Sequence, residues 1–187
     1  QQRWTFWAGA PGALRTELGS QTLGVIGFGH IGKTIAQRAK AFGMRVHACN
    51  RSPVQHDCVD QAWPLQALDD FMASCDVVVT TLPLTDDTRG RVGAQALARM
   101  RGDAVIVNVG RGPVIDEQAL FDALQQRRIG GAVIDTWYQY PAAGQTQAAP
   151  SRLDFAALPN VLMTPHMSGW THGTVRRRQQ TLAENIR

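Results

Sequence analysis

No apolar run in this 187-residue sequence approaches the roughly 20 residues needed to span a bilayer. Its polar start also lacks the charged-then-apolar pattern of a secretory leader. A soluble, cytoplasmic protein with no membrane partner is therefore expected. Cysteine is scarce: Cys49, Cys58 and Cys75 are odd in number and lack metal-ligand spacing, which argues against a disulfide scaffold and against a metal site. Reduced thiols are expected. Aromatic residues make up only 7% of the chain, and none alternate with basic residues in the way that stacks nucleic-acid bases. The formal charge of +4 and the run Arg176-Arg177-Arg178 therefore read as a solvated face, or as help in holding an anionic ligand, with no nucleic-acid partner. An initial Met is also missing. The chain runs from Gln1 straight into Trp4, Phe6 and Trp7, which suggests a piece of a longer protein.

What is present is enough apolar material for one globular domain: 44% hydrophobic residues against 18% charged. Short β-branched or apolar runs recur at 22–26, 45–48, 77–81, 104–108, 131–134 and 161–164, each of strand length. Between them lie amphipathic stretches. Ile31, Ile35, Ala39 and Phe42 share one face of 31–42, and Leu120, Phe121 and Leu124 share one face of 116–127. Gly43 is placed to close the first helix and Asp116 to cap the second. Strands alternating with helices predict right-handed crossovers and an α/β fold, a doubly wound parallel sheet with helices on both faces. Ligands of such a sheet lie beyond the carboxyl ends of its strands, near the point where strand order reverses. The stretch 141–152, rich in Ala, Gln, Gly and Pro and without apolar periodicity, is expected to be a surface loop.

The first predicted strand runs into Gly27, Phe28, Gly29, His30, Ile31 and Gly32 before the first helix. A glycine pattern of this spacing is weak alone, but between a strand and a helix it has a mechanism. Gly27 allows a tight turn, Gly29 lets backbone approach a pyrophosphate, and Gly32 lets the helix pack close to the strand. The helix start then offers free N–H groups and a partial positive charge. This predicts a Rossmann-type dinucleotide site. An NAD-selective site of this kind ends its second strand with an acid for the ribose hydroxyls. Here that strand runs into Asn50, Arg51 and Ser52. Arg51 and Ser52 suit a 2′-phosphate through charge-assisted hydrogen bonds, so NADP(H) is favoured. The alternative is NAD(H), with Arg51 lying over the adenine ring.

Three further segments carry a resemblance. They are 81–88 (Thr-Leu-Pro-Leu-Thr-Asp-Asp-Thr), 107–117 with Asn108, Gly110, Arg111, Gly112 and Asp116, and 159–169 with Pro165, His166, Ser168 and Gly169. In order and spacing they are similar to the D-isomer-specific 2-hydroxyacid dehydrogenases over 24–185. The resemblance implies that residues 1–187 are that family's dinucleotide-binding domain, with 1–20 a leading segment, and that its substrate-binding domain is absent from this chain. It also implies that Arg111 anchors the carboxylate of a 2-keto or 2-hydroxy acid and polarises its carbonyl. His166 is then the general acid and base, and Asp135 holds the nicotinamide carboxamide. Leu82, Pro83 and Thr88 fall near the adenosine half of the cofactor, and Val109, Gly110, Ser168 and Gly169 complete the cofactor contacts. A homodimer is implied, and Trp4, Phe6 and Trp7 suit such a contact.

The sequence departs from that pattern at one place. The family's glutamate, which hydrogen-bonds the catalytic histidine, stands five residues after the position of Asp135; here that place holds Tyr140, with Gln139 beside it if the register slips by one. Tyrosine cannot supply the charge that stabilises an imidazolium. Two functions are therefore carried forward. The first is an oxidoreductase that moves hydride between a nicotinamide cofactor and a 2-keto or 2-hydroxy acid, glyoxylate or hydroxypyruvate being the analogous substrates. The second is a non-catalytic dinucleotide sensor of the corepressor type, which Tyr140 favours and the retained Arg111 and His166 oppose.

Overall fold

The structure is a computed structural model that describes residues 16–186. Trp4, Phe6 and Trp7, and with them most of the leading segment, lie outside the described residues. In chain order the main elements are β1 (Thr22–Ile26), α1 (His30–Ala41), β2 (Arg45–Asn50), β3 (Gln61–Pro64), α2 (Leu68–Ala73), β4 (Val77–Thr80), α3 (Ala94–Arg99), β5 (Val105–Asn108), α4 (Glu117–Gln125), β6 (Gly131–Ile134), β7 (Val161–Met163) and α5 (His172–Asn185). All the strands pair in parallel, in the order β3-β2-β1-β4-β5-β6-β7. The chain steps outward from β1 to β3, then crosses back to β4 and steps outward the other way. Strand order therefore reverses between β1 and β4, and their carboxyl ends flank the crevice that a doubly wound sheet offers to a ligand.

Alternation along each strand sends neighbouring side chains to opposite faces. Ile26, Cys49, Val78, Ile106 and Ile134 point to one face and are covered by Phe71 and Met72 of α2, Leu97 of α3, and Leu120 and Leu124 of α4. Leu23, Val25, Val46, Ala48 and Val79 point to the other, where Ala36 and Ala39 of α1 meet them. These are the two faces of one sheet. Burial drives the Cys49 thiol up to about 12 and the Cys75 thiol to about 11, so both stay protonated and act as small core hydrophobes.

Six of the strands and two of the three longer helices, α1 and α4, fall where the sequence places them, whereas the 14-residue α5 was not singled out. Asp116 caps α4, its Oδ1 accepting from Ala119 N at 2.8 Å, and Gly43 ends α1 with φ of +78°. The seventh strand, β3, escapes sequence reading because Gln-Ala-Trp-Pro has no β-branched residue and ends in proline. An edge position tolerates both features, since β3 pairs with β2 alone. The helices α2 and α3, at six residues each, are too short to display a period. The stretch 141–152 carries no helix or strand, as expected.

Candidate active site

The glycine turn after β1 is built for close approach. Gly27 has φ of +89°, a conformation side chains rarely adopt, and a Cβ on Gly32 would lie 2.3 Å from the Gly27 carbonyl oxygen. A Cβ on Gly29, by contrast, would meet nothing within 4 Å. Gly29 is the N-cap of the twelve-residue α1, so open space lies against the exposed N–H groups of its first turn. A pyrophosphate fits there. His30 and Ile31 are exposed beside it, whereas Phe28 is buried, packed on the α1 face of the sheet and edge-on to His56. Leu82 supports the turn from below, its Cδ2 standing 3.0 Å from where a Gly27 Cβ would be, and Thr81 Oγ1 donates to the Gly27 carbonyl at 2.7 Å.

The end of β2 is tied to the glycine turn. The Asn50 amide serves the chain itself: Oδ1 accepts from Phe28 N at 3.2 Å and Nδ2 donates to the Ser52 carbonyl at 3.0 Å. It braces the glycine turn against β2. Arg51 and Ser52 stay exposed. Arg51 lines a groove with Asn50, Leu82, Pro83, Thr88 and Arg91, beyond the ends of β2 and β4. Arg91 was not singled out from sequence. Its Nη2 donates to the Leu65 carbonyl at 2.7 Å, and its buried Nε has no partner among the described residues. Nothing in its local sequence marks it, because the groove is closed by residues from three separate stretches. Thr88 lines the groove, but its hydroxyl holds its own turn together, donating to the Pro83 carbonyl at 2.7 Å and accepting from Thr85 N at 2.8 Å.

Farther along the same edge, the turn after β5 carries Arg111. Asn108 brackets it, Oδ1 accepting from Gly110 N and Nδ2 donating to the Arg111 carbonyl, both at 3.2 Å. Val109 and Gly110 follow the strand end, and a Cβ on Gly110 would press to 2.7 Å from the Leu82 carbonyl oxygen, so this turn and the one after β4 are in contact. The Arg111 side chain is exposed, with Nη1 donating to the Gly110 carbonyl at 2.7 Å. Gly112 is pressed against Trp137, where an added Cβ would lie 2.3 Å from the Trp137 carbonyl oxygen. That contact joins the Arg111 turn to the segment after β6.

That segment frames His166. Asp135, at the end of β6, is buried, and each of its carboxylate oxygens is doubly engaged. Oδ1 accepts from Thr164 Oγ1 at 2.6 Å and Met167 N at 3.0 Å, and Oδ2 from Ser168 Oγ at 2.5 Å and Ser168 N at 3.2 Å. Burial alone would raise this carboxyl, but the hydrogen bonds from Ser168, Thr164 and Met167 prevail and hold it at about 2. Asp135 thus anchors the turn after β7. Ser168 is likewise engaged with Asp135, while a Cβ on Gly169 would meet nothing. The clamp keeps His166 at φ of +54°, in the left-handed region. Trp137 ties the same pieces together through Nε1, which donates to the Thr164 carbonyl at 2.9 Å. Tyr140 completes the frame: its Oη accepts from Trp137 N at 3.0 Å and lies 2.9 Å from His166 Nδ1. The register question between Gln139 and Tyr140 is resolved in favour of tyrosine.

Among the described residues no group of three or more His, Cys, Asp or Glu is placed to hold a metal, and no helix is long and apolar enough to cross a membrane. The edge offers instead a glycine cradle, a basic groove beside it, and an exposed guanidinium and imidazole on the turns that follow. Comparison with known proteins gives the same reading. Residues 1–168 match the family model for the D-isomer specific 2-hydroxyacid dehydrogenase, NAD binding domain. Glyoxylate/hydroxypyruvate reductase B of Yersinia enterocolitica is 38% identical over 169 residues, covering 89% of this chain and 49% of that protein. Glycerate dehydrogenase of Methylorubrum extorquens is 35% identical over 170 residues, covering 91% of this chain and 50% of that protein. Among solved structures, the acyclic imino acid reductase Bsp5, in complex with NADPH and D-Arg, superposes with a TM-score of 0.81 at 32% identity, over 94% of this chain and 53% of that one. The chain therefore spans about half the length of the curated relatives it matches. The cradle, the sheet order and these matches together show that the chain belongs to the D-isomer specific 2-hydroxyacid dehydrogenases, as their NAD-binding domain.

Proposed function

We propose that this domain serves an oxidoreductase that moves hydride between NADP(H) and a D-2-hydroxy or 2-keto acid, with Arg111 as the carboxylate anchor and His166 as the acid–base group. One observation carries the reading: along a single edge of the sheet the glycine cradle is followed by the Arg111 turn after β5 and the His166 turn after β7. Bound at the cradle, a reduced nicotinamide supplies hydride to the substrate's carbonyl carbon. The guanidinium pairs with the neighbouring carboxylate and draws charge onto the carbonyl oxygen, and the imidazole exchanges a proton with that oxygen. Glyoxylate and hydroxypyruvate are the first substrates to try, since a similar protein is named for reducing both. A sensor without chemistry has no use for the exposed Arg111 and the framed His166. We read the protein as cytoplasmic, consistent with its three free cysteines, and as a homodimer, to be checked by sedimentation.

NADP(H) is preferred over NAD(H) on the chemistry of the groove. No acid ends β2, Asn50 is engaged with its own chain, and Arg51 and Ser52 are exposed, with Arg91 lining the same groove. Solved relatives include both NADPH and NAD complexes, so membership of the family leaves the choice open. Calorimetric titration of this chain with NADPH and with NADH is the test. The expected result is tighter NADPH binding, with Arg51→Ala weakening NADPH about ten- to a hundredfold and leaving NADH unchanged. Equal affinities would overturn the 2′-phosphate assignment. A panel of keto acids given to the whole enzyme tests the reaction itself, and no turnover with any of them would favour the sensor.

A further inference from the structure

We propose that Tyr140 is the positioning residue of His166: it donates its phenolic hydrogen to Nδ1, keeps the neutral ring's own hydrogen on Nε2, and relays to the ring the proton that the substrate oxygen takes. The inference rests on the reading of His166 as the acid–base group. Its starting point is donor bookkeeping around one oxygen. Trp137 N–H can only donate, so Tyr140 Oη accepts from it at 3.0 Å. Its other partner among the described residues is His166 Nδ1 at 2.9 Å, and giving the phenolic hydrogen to that nitrogen satisfies donor and acceptor on both sides of the contact. A ring nitrogen that accepts is unprotonated, which leaves the neutral imidazole with its hydrogen on Nε2. A carboxylate in the place of Tyr140 would act in the opposite sense, drawing hydrogen onto Nδ1 and favouring the imidazolium.

The frame keeps this geometry in place. Asp135 fixes the turn on either side of His166, the Trp137 indole binds the Thr164 carbonyl, and the Tyr140 and His166 rings sit 5.6 Å apart, tilted by 58°. The charged or titratable side chains on the adjoining segments are Asp135, Tyr138 and, on the turn after β5, Arg111. Asp135, held at about 2, is ionised throughout, and Tyr138 is partly buried, its hydroxyl pushed well above the usual phenol range. In reduction, with hydride delivered to the carbonyl carbon by a reduced nicotinamide, the C=O electron pair passes to oxygen and that oxygen takes the Nε2 proton. Nδ1 takes the phenolic proton, and the phenolate left behind keeps the hydrogen bond from Trp137 N–H. Tyr140 is 49% exposed and His166 is exposed beside it, so water protonates Nε2 and the Nδ1 proton returns to the phenolate, restoring the starting tautomer. The sum is one hydride and one solvent proton added to the carbonyl.

Such a relay needs no imidazolium, so reduction continues above the ordinary histidine range of about 6.5, where an imidazolium donor fails. The experiment is the pH profile of kcat for keto-acid reduction by the whole enzyme and its Tyr140→Phe and Tyr140→Glu variants, with ¹⁵N spectra of histidine-labelled samples of the present chain. Wild type is expected to hold its rate to about pH 8.5, whereas Tyr140→Phe matches it within about threefold near pH 5.5 and then falls about tenfold per unit, with KM little changed. Nδ1 of His166 should resonate as an acceptor in wild type and as a protonated nitrogen in Tyr140→Glu. Parallel profiles for wild type and Tyr140→Phe, or a protonated Nδ1 in neutral wild type, would overturn the proposal. An enzyme that reduces no keto acid but shows the Nε2–H ring would sink the functional reading and keep the hydrogen-bond assignment.

Discussion

At the β1–α1 end of the carboxyl edge the protein presents backbone: a glycine with positive φ, a helix start, and space where side chains would otherwise stand. At the β6–β7 end it presents side chains that reach across 26 to 33 residues of sequence to meet, Tyr140 to His166 and Asp135 to Ser168. The first end suits any ligand with a pyrophosphate, because N–H groups and a helix start read charge and shape alone. The second is specific in its chemistry, because a proton has to be held on one named atom. A cradle made of backbone is disturbed by adding atoms, and a frame made of hydrogen bonds by removing them.

The sharpest contrast is expected between binding and turnover. Replacing His166 with Ala in the whole enzyme should lower the rate of reduction roughly a thousandfold while leaving dinucleotide affinity unchanged in a fluorescence titration. A matching loss of affinity would mean the two ends are not separable. Asp135→Asn should cost the domain about 2–4 kcal/mol in urea unfolding, since an amide nitrogen meets donors that now have no acceptor.

Gly32→Ala should cost about 1–3 kcal/mol, because its Cβ would strike backbone. Gly29→Ala should leave stability within about 0.5 kcal/mol of wild type, its Cβ entering open space, while weakening dinucleotide binding about tenfold. If both alanines acted alike, the cradle would not be arranged around a ligand. The smallest effect is on acid stability. The carboxyl of Asp135 is depressed in the folded state to about 2, so its contribution is complete above the ordinary carboxyl range near 3.9 and is lost as pH falls through about 2. The stability gap between wild type and Asp135→Asn should narrow across that window.

The same contrast governs what could be read in advance. Glycine spacing, β-branched runs and the cap at Asp116 are local, so the cradle, six strands and two helices were legible from residues near one another. Short elements were not: β3 lies at an edge where pairing alone makes it a strand, and α2 and α3 are helices because Phe71, Met72 and Leu97 find a sheet to cover. Within the site, residue types were legible but their partners were not. That Asn50, Thr88 and Asp135 also hydrogen-bond to their own chain showed only in the folded structure. Arg91 went unnoticed because only the folded groove sets it beside Arg51.

By itself, the sequence determined the class of fold and the kind of ligand, because a parallel sheet and a pyrophosphate cradle follow from periodicity and from where side chains are missing. Only the tertiary structure decided which side chain stands behind His166. Gln139 and Tyr140 are adjacent in the chain, and choosing between them required the turn after β6, the Trp137 N–H and the clamped turn after β7 to be set in one place. Hydrogen bonds act over about 3 Å, and no pattern along the chain specifies a distance that short between residues so far apart in it.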